Sequence, residues 1–350
     1  MKVFKYILIL LIVFLISGYF LLQNHSVQNR LFENTVRELF QTDEIFMNDA
    51  LSVAVCGSRA PLPSPNRAET CLLVQAGTSK FIIDTGRGSA DNLQRWRVDY
   101  SDLEAVILSH LHSDHISDLH EVQFQSWLGG RKTPLSVIGP IGTASTAQGF
   151  EQAFKLDSIY RSEHHGAILP IEAYGYDVVE FEGDAKLIFE NEDTRITAFK
   201  VDHAPVDHSY AFKIEYKDRS IVVSGDTVSL DVMTEYSKGV DVLFHDALAK
   251  PLIQEMEKIS EEIGNNIVSK VLFDIQDYHA NTVEVADIAR RAEVDLLVFY
   301  HLIPAPRNYI SEQMFLRGVD EIFTNYHVSE DGTLVSLPAG SDEILIDLID

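Results

Sequence analysis

Apolar and polar positions alternate along this chain with three different rhythms. From Tyr6 to Leu22 the chain reads YILILLIVFLISGYFLL, with no charge and almost no polar break. A run of that length matches an apolar membrane span rather than a face of a soluble helix. From residue 23 the pattern becomes that of a polar, helix-prone segment (SVQNRLFENTVRELFQ). Beyond it, short apolar runs bounded by Gly, Asp and Ser predict strands: LSVAVCGS, TCLLVQAG, SKFIIDTG, LEAVILSH and LSVIGP. AKLIFE, RITAFKVDH, VDVLFHDA, VDLLVFYHL and TLVSLP read the same way, and SYAFKIEYKDRSIVVSGDT reads as a hairpin turning at KDR. Helical spacing appears near 89–98, 115–128, 141–154, 250–265 and 282–293. Residues 156–186 show no regular period and are expected to be irregular, and the acidic end SDEILIDLID is expected to be solvated. Strands alternating with helices in two halves predict a layered α/β domain.

Compartment follows from the first segment. Lys2 and Lys5 stand at its start, and no further Lys or Arg occurs until Arg30. No small-residue cleavage site follows. The reading is a membrane anchor (or uncleaved signal) over 1–28, with membrane contact through residues 6–22, then a stalk over 29–48. The positive-inside rule then places the catalytic domain outside the cytoplasm, on the periplasmic face. Cleavage of the segment would make the protein secreted. Cys56 and Cys71 are either two buried thiols or a disulfide.

The net charge of −25, from 53 acids and 28 bases, argues against a polyanion-binding surface. The chemistry concentrates in SHLHSDHISDLH, directly after an apolar run. Buried polar groups there require partners, and a metal ion provides them. His110 and His112 project to one side of extended chain, with Asp114 and His115 in the following turn. His203, Asp226 and His301 stand at three other strand ends and complete a set of imidazoles and carboxylates suited to zinc, with manganese or iron as alternatives.

HLHSDH matches the H-x-H-x-D-H signature of the metallo-β-lactamase superfamily, and the chain from about residue 50 resembles its ribonuclease Z and arylsulfatase-like branch. Further matching stretches are IIDTG, SGDT, LFHDA, YHANTVEVADIARRA and FYHLIP. The resemblance implies a four-layer αββα fold over 49–340, followed by an acidic tail at 341–350. It implies two Zn²⁺ ions: one held by His110, His112 and His203, the other by Asp114, His115 and His301, with Asp226 bridging. Asp84 would orient the cluster. Asp114, His279 and Asp246 would be catalytic, with His279 protonating the leaving oxygen, Asp246 orienting it, and a metal-bridging hydroxide attacking.

Arg67, His164 and His165 are candidate substrate contacts. The expected function is arylsulfatase-like hydrolysis of a small-molecule ester (sulfate ester or phosphodiester). The first alternative is ribonuclease Z-like processing of tRNA 3′ ends, disfavoured by the expected export, by the negative charge, and by seven acids against three bases in 155–186, where a tRNA-gripping arm would lie. A lactonase and a non-catalytic membrane-tethered scaffold are further alternatives. A homodimer is compatible with the sequence.

Overall fold

The structure, a computed structural model, describes residues 2–39, 41 and 45–349. The chain divides into two compact units, 1–43 and 44–350. The first holds two helices, Lys2–Leu22 and His25–Leu39. Within the first helix, Phe4–Leu22 is long and apolar enough to cross a membrane, with mean hydropathy 2.4. The expected stalk falls partly on residues 40 and 42–44, outside the described residues.

The second unit contains fifteen strands among its described residues. They are β1 (Ala50–Gly57), β2 (Cys71–Ala76), β3 (Ser79–Ile83), β4 (Leu103–Ile107), β5 (Leu135–Pro140), β6 (Tyr176–Phe181), β7 (Ala185–Glu190) and β8 (Thr194–His203). β9 (Val206–Tyr216), β10 (Arg219–Val223), β11 (Val242–Leu248), β12 (Leu296–Ile303), β13 (Tyr326–Val328), β14 (Thr333–Pro338) and β15 (Leu345–Leu348) follow. One sheet runs β15-β14-β1-β2-β3-β4-β5-β6 and the other β13-β12-β11-β10-β9-β8-β7.

Alternation along the strands builds the layers. On β1, Leu51, Val53 and Val55 join Phe212, Ile221 and Phe244 of the opposite sheet in one core. Ala54 and Cys56, facing the other way, pack with Leu93, Leu119 and Val122 from outer helices. Val222 and Leu243 of the second sheet meet Val285, Ile288 and Ala289 of helix Thr282–Ala292. The result is the expected four layers, helices outside two stacked sheets.

Cys56 and Cys71 are joined in a disulfide between the neighbouring strands β1 and β2. It closes a loop of separation 15, for which chain-entropy reasoning gives about 3 kcal/mol of stabilisation. Reduction, or Cys56→Ser with Cys71→Ser, is therefore expected to lower the free energy of unfolding by that amount, read as a lower urea midpoint at unchanged slope. An unchanged midpoint would show that the bond constrains nothing beyond the sheet itself.

Three local expectations are corrected. Residues 156–165 are not irregular: helix Thr143–His165 continues through them, two short 3₁₀ turns follow, and β6 pairs in parallel with β5. Two of the seven acids in 155–186 serve structure: Glu180 accepts the Gly142 and Ala144 amides at the start of that helix and Asp157 pairs with Arg161. The single helix expected at 250–265 is a pair, Lys250–Glu262 and Asn266–Asp274, broken at Gly264 with φ 76° and restarted by the Asn265 side chain capping Val268. The acidic end is partly a strand, β15, paired to β14 although its side chains stay exposed.

Candidate metal centre

Strand direction gathers the site. β3, β4 and β5 run parallel, as do β10, β11 and β12. β8 is antiparallel to β9, which is antiparallel to β10, so β8 also ends at the rim where β10 ends. His110, His112, Asp114 and His115 follow β4, His203 ends β8, Asp226 follows β10, Asp246 lies on β11 and His301 on β12.

Three sets of candidate ligand atoms result, each within 4.8 Å of one another: His110, His112, His203 and Asp226; Asp114, His115, Asp226 and His301; and Asp226, Asp246, His279 and His301. The first two are the sets expected from the sequence, the third brings in His279 and Asp246, and Asp226 belongs to all three. Its Oδ2 lies 3.2 Å from His301 Nε2, 3.3 Å from His115 Nε2, 3.8 Å from His203 Nε2 and 3.9 Å from His110 Nε2. Asp114 Oδ2 lies 3.3 Å from His301 Nε2.

Surrounding groups aim these rings. The Asp84 Oδ1 accepts the Ser109 amide at 2.8 Å, and its Oδ2 accepts the Ser109 hydroxyl at 2.7 Å and His115 Nδ1 at 2.8 Å. His115 Nε2 is thereby left pointing into the cluster. His203 Nδ1 donates to the Tyr278 carbonyl at 2.9 Å. Asp84 (φ 58°) and His301 (φ 43°) both hold left-handed backbone, a conformation uncommon for non-glycine residues. Gly225, just before Asp226, has φ 59°, and a Cβ there would lie 2.6 Å from the Tyr210 carbonyl oxygen.

The residues fit divalent cations. Asp226 Oδ1 and His115 Nε2 are buried without a hydrogen-bond partner, an arrangement that is costly unless something else satisfies them. The donor set is nitrogen and oxygen only, both cysteines being spent in the disulfide. Burial opposes ionisation of Asp114, yet the charge of His115 and the hydrogen bond from His301 outweigh it and pull its carboxyl down to about 2. Burial likewise opposes charge on His115, but Asp226, Asp84 and Asp114 push it well above its ordinary value. Burial, helped by the positive charge of His115, drives His110 well below its own. The carboxylates thus stay ionised in the interior, and cations would neutralise them.

His279 Nδ1 donates to Asp246 Oδ2 at 2.9 Å, so the aspartate reaches the histidine despite being a short side chain. The His279 ring stacks on His301 at 5.5 Å between centroids and tilts against His203 at 4.9 Å. Burial raises the Asp246 carboxyl, but hydrogen bonds from His245 and His279 overcome it and hold it below the usual carboxylate range. Beside the cluster lies a cavity of about 270 Å³, walled by Leu62, Val271, Ile275, Tyr278 and Ile303 and floored by ligand residues and His279.

Not every candidate joins. His164 and His165 sit exposed at the end of helix Thr143–His165 and line no part of this cavity. Arg67 lines two neighbouring cavities instead. His208 is absent from both ligand sets, and His120 stacks on Phe154. Sequence reasoning missed Ser109, Tyr278, Ser224 and His245. Ser109 and Tyr278 adjoin the recognised histidines in SHLH and YHANT, but nothing in the pattern marks the Ser109 hydroxyl or the Tyr278 carbonyl as partners. Ser224 Oγ accepts the Asp246 amide at 2.9 Å, across two strands.

A two-sheet fold with paired imidazole–carboxylate sites at one rim defines a metal-dependent hydrolase scaffold. The chain belongs to the metallo-beta-lactamase superfamily, whose model matches residues 65–301. Curated relatives include the ribonuclease Z of Mycobacterium bovis (strain BCG / Pasteur 1173P2), 34% identical over 261 residues, covering 73% of this chain and 87% of that protein. The ribonuclease Z of Mycobacterium marinum is likewise 34% identical with the same coverage. Among solved structures, the metallo-beta-lactamase fold protein YhfI from Bacillus subtilis superposes with TM-score 0.61 at 21% identity, covering 83% of this chain and all of that one. The short form of human tRNase Z gives TM-score 0.57 at 18% identity, with 82% and 99% covered.

These relatives correct the expectation of an arylsulfatase-like enzyme with a small-molecule ester substrate: the similar curated proteins are named ribonuclease Z. Of the three objections raised against the ribonuclease reading, the structure weakens two, and the expected export is a separate question. The acidic stretch 155–186 folds as helix, 3₁₀ turns and sheet strands, and its Glu180 and Asp157 are engaged within the protein. The charge of −25 sums the whole chain and says nothing of the groups beside the cavity.

Proposed function

We propose that this protein is a ribonuclease Z-type phosphodiesterase that cleaves RNA beside a 3′ end with two zinc ions. The reading rests on the joint occurrence of the two ligand sets sharing Asp226 and the His279–Asp246 pair against them, in a chain 34% identical to ribonuclease Z over most of its length. His110, His112 and His203 would hold one ion, Asp114, His115 and His301 the other, and Asp226 both. When bound, such a pair supplies Lewis acidity toward phosphoryl oxygens and lowers the pKa of water. His279, fixed by Asp246, presents its outer nitrogen for protonating the departing oxygen as a general acid. Asp84 and Ser109 keep His115 aimed, and the apolar wall of the cavity limits water to the reacting face.

We place the catalytic unit outside the cytoplasm, held at the membrane by Phe4–Leu22. Support comes from Lys2 and Lys5 at the start of the apolar helix and from the Cys56–Cys71 bond, a type that persists in oxidising compartments. The test uses the full chain in detergent, loaded with zinc. Cleavage of an RNA carrying a 3′ extension is expected, together with turnover of bis(p-nitrophenyl) phosphate. Diester turnover with no RNA cleavage would overturn the RNA assignment. A reporter at the carboxyl terminus that is active only outside the cytoplasm tests the placement; silence there removes it.

A further inference from the structure

Beside the metal cavity lies a second, larger one. Its volume is about 550 Å³, and its walls carry Arg59, Arg67, Arg87 and Arg95 against only two carboxylates, Asp91 and Asp331. In a chain with 53 acids and 28 bases, four arginines around one hollow reverse the local balance. Of the two carboxylates, Asp91 is exposed in the first turn of helix Ser89–Arg95, and Asp331 is already engaged within the protein. Asp331 spends its oxygens on the Ser58 amide and hydroxyl, the Ala68 amide and the Asn92 side chain. Glu69, behind the wall, is shared between Arg59 at 3.1 Å and Arg87 at 2.9 Å.

The four arginines differ in what they have left to offer. Arg59 is buried and committed to Glu69 and to the Arg67, Ala60 and Leu62 carbonyls. Arg67 is half-buried and gives one nitrogen to Ser58 Oγ and the Ser329 carbonyl, with no carboxylate in ion-pair contact among the described residues. Arg95 is exposed, and its hydrogen bond goes to the neutral Asn92 side chain at 3.1 Å. The Arg87 side chain is 68% exposed despite its contact with Glu69. Arg67, Arg87 and Arg95 therefore present guanidinium donors to the hollow.

The topology joins this hollow to the metal rim. β2 is antiparallel to both β1 and β3, so β1 and β3 end on the same side, and β3 is parallel to β4, which delivers His110. Arg59 and Arg67 follow β1, and Arg87 and Arg95 follow β3 and the orienting Asp84. One loop borders both cavities: Ala60, Pro61 and Leu62 line the metal cavity, and Pro65, Asn66 and Arg67 the basic one. Leu62 and Pro65 are three residues apart, which bounds the step at about 11 Å of extended chain.

We propose that Arg67, Arg87 and Arg95 form a phosphate-binding subsite that holds the RNA backbone beside the metal rim. The proposal rests on the RNA-phosphodiesterase reading above and adds to it where the strand runs. Forked guanidinium donors match phosphate oxygens, and backbone contacts of this kind position a strand without reading its sequence. They also explain how a chain of charge −25 binds a polyanion: attraction is confined to one groove.

The test is Arg87→Ala with Arg95→Ala in the zinc-loaded full chain, both being exposed side chains outside the metal cavity. KM for a 3′-extended RNA is expected to rise about tenfold. The slope of log(kcat/KM) against log salt is expected to flatten by about 1.4, from two lost contacts to a single strand. Arg87→Lys with Arg95→Lys should restore most of the slope while losing the forked geometry. Wild-type RNA cleavage with unchanged KM and slope in the alanine pair removes this proposal and leaves the RNA reading standing. Absence of RNA cleavage by wild-type protein that still hydrolyses bis(p-nitrophenyl) phosphate removes both.

Discussion

Asp226→Ala is expected to abolish stoichiometric metal binding and to lower kcat by at least about a thousandfold. Asp226 Oδ2 stands within 3.9 Å of four histidine nitrogens, from both ligand sets. Its loss therefore weakens both ions together rather than one. Lewis-acid stabilisation by such ions is worth several kcal/mol, and each 1.4 kcal/mol is about tenfold in rate. The measurement is metal content by elemental analysis beside turnover of bis(p-nitrophenyl) phosphate. Alanine also removes a buried charge that the histidines neutralise, so Asp226→Asn serves as the isosteric check on folding. Retention of two metals per chain with full turnover in either variant would contradict the bridging role.

His279→Ala is expected to separate the two kinds of substrate. Removing a general acid costs roughly 10² to 10⁴ in rate where the leaving oxygen needs its proton. RNA cleavage expels a sugar hydroxyl and should fall by that factor. Bis(p-nitrophenyl) phosphate expels a phenolate that departs unprotonated and should fall less than about tenfold. Asp246→Asn keeps the shape but loses the charge-assisted bond to His279 Nδ1, now 2.9 Å, and should show the same pattern more weakly. Equal losses on both substrates would place His279 in metal binding, as would a drop in metal content. His279 touches both His203 and His301, so metal analysis accompanies the kinetics.

Part of this site is legible in the amino-acid sequence alone. HLHSDH carries its candidate ligands at i and i+2 of extended chain and in the next turn, and local geometry brings those together: His110 Nε2 and His112 Nδ1 lie 2.9 Å apart. Apolar runs ending in His203, Asp226 and His301 mark strands with polar ends. The Asp84 role follows from resemblance alone; in the structure its carboxylate accepts from Ser109 and His115. The failures have a common form. Across residues 155–186 the sequence displays charge, and charge does not say whether an acid caps a helix, as Glu180 does, or faces a substrate. Gly264 and Asn265 hide a helix break, because the apolar period continues across it.

Composition and local period thus determined the strands, the two-faced burial and the types of ligand, because burial alternation and turn chemistry act over a few residues. Sheet order decided the rest. Asp114 meets His301 across a separation of 187 residues only because β4 and β12 end at one rim of two stacked sheets. The arginines after β1 and β3 gather there for the same reason. No local rhythm encodes which strand ends become neighbours; that choice is made when the two inner faces close on one another and expel water.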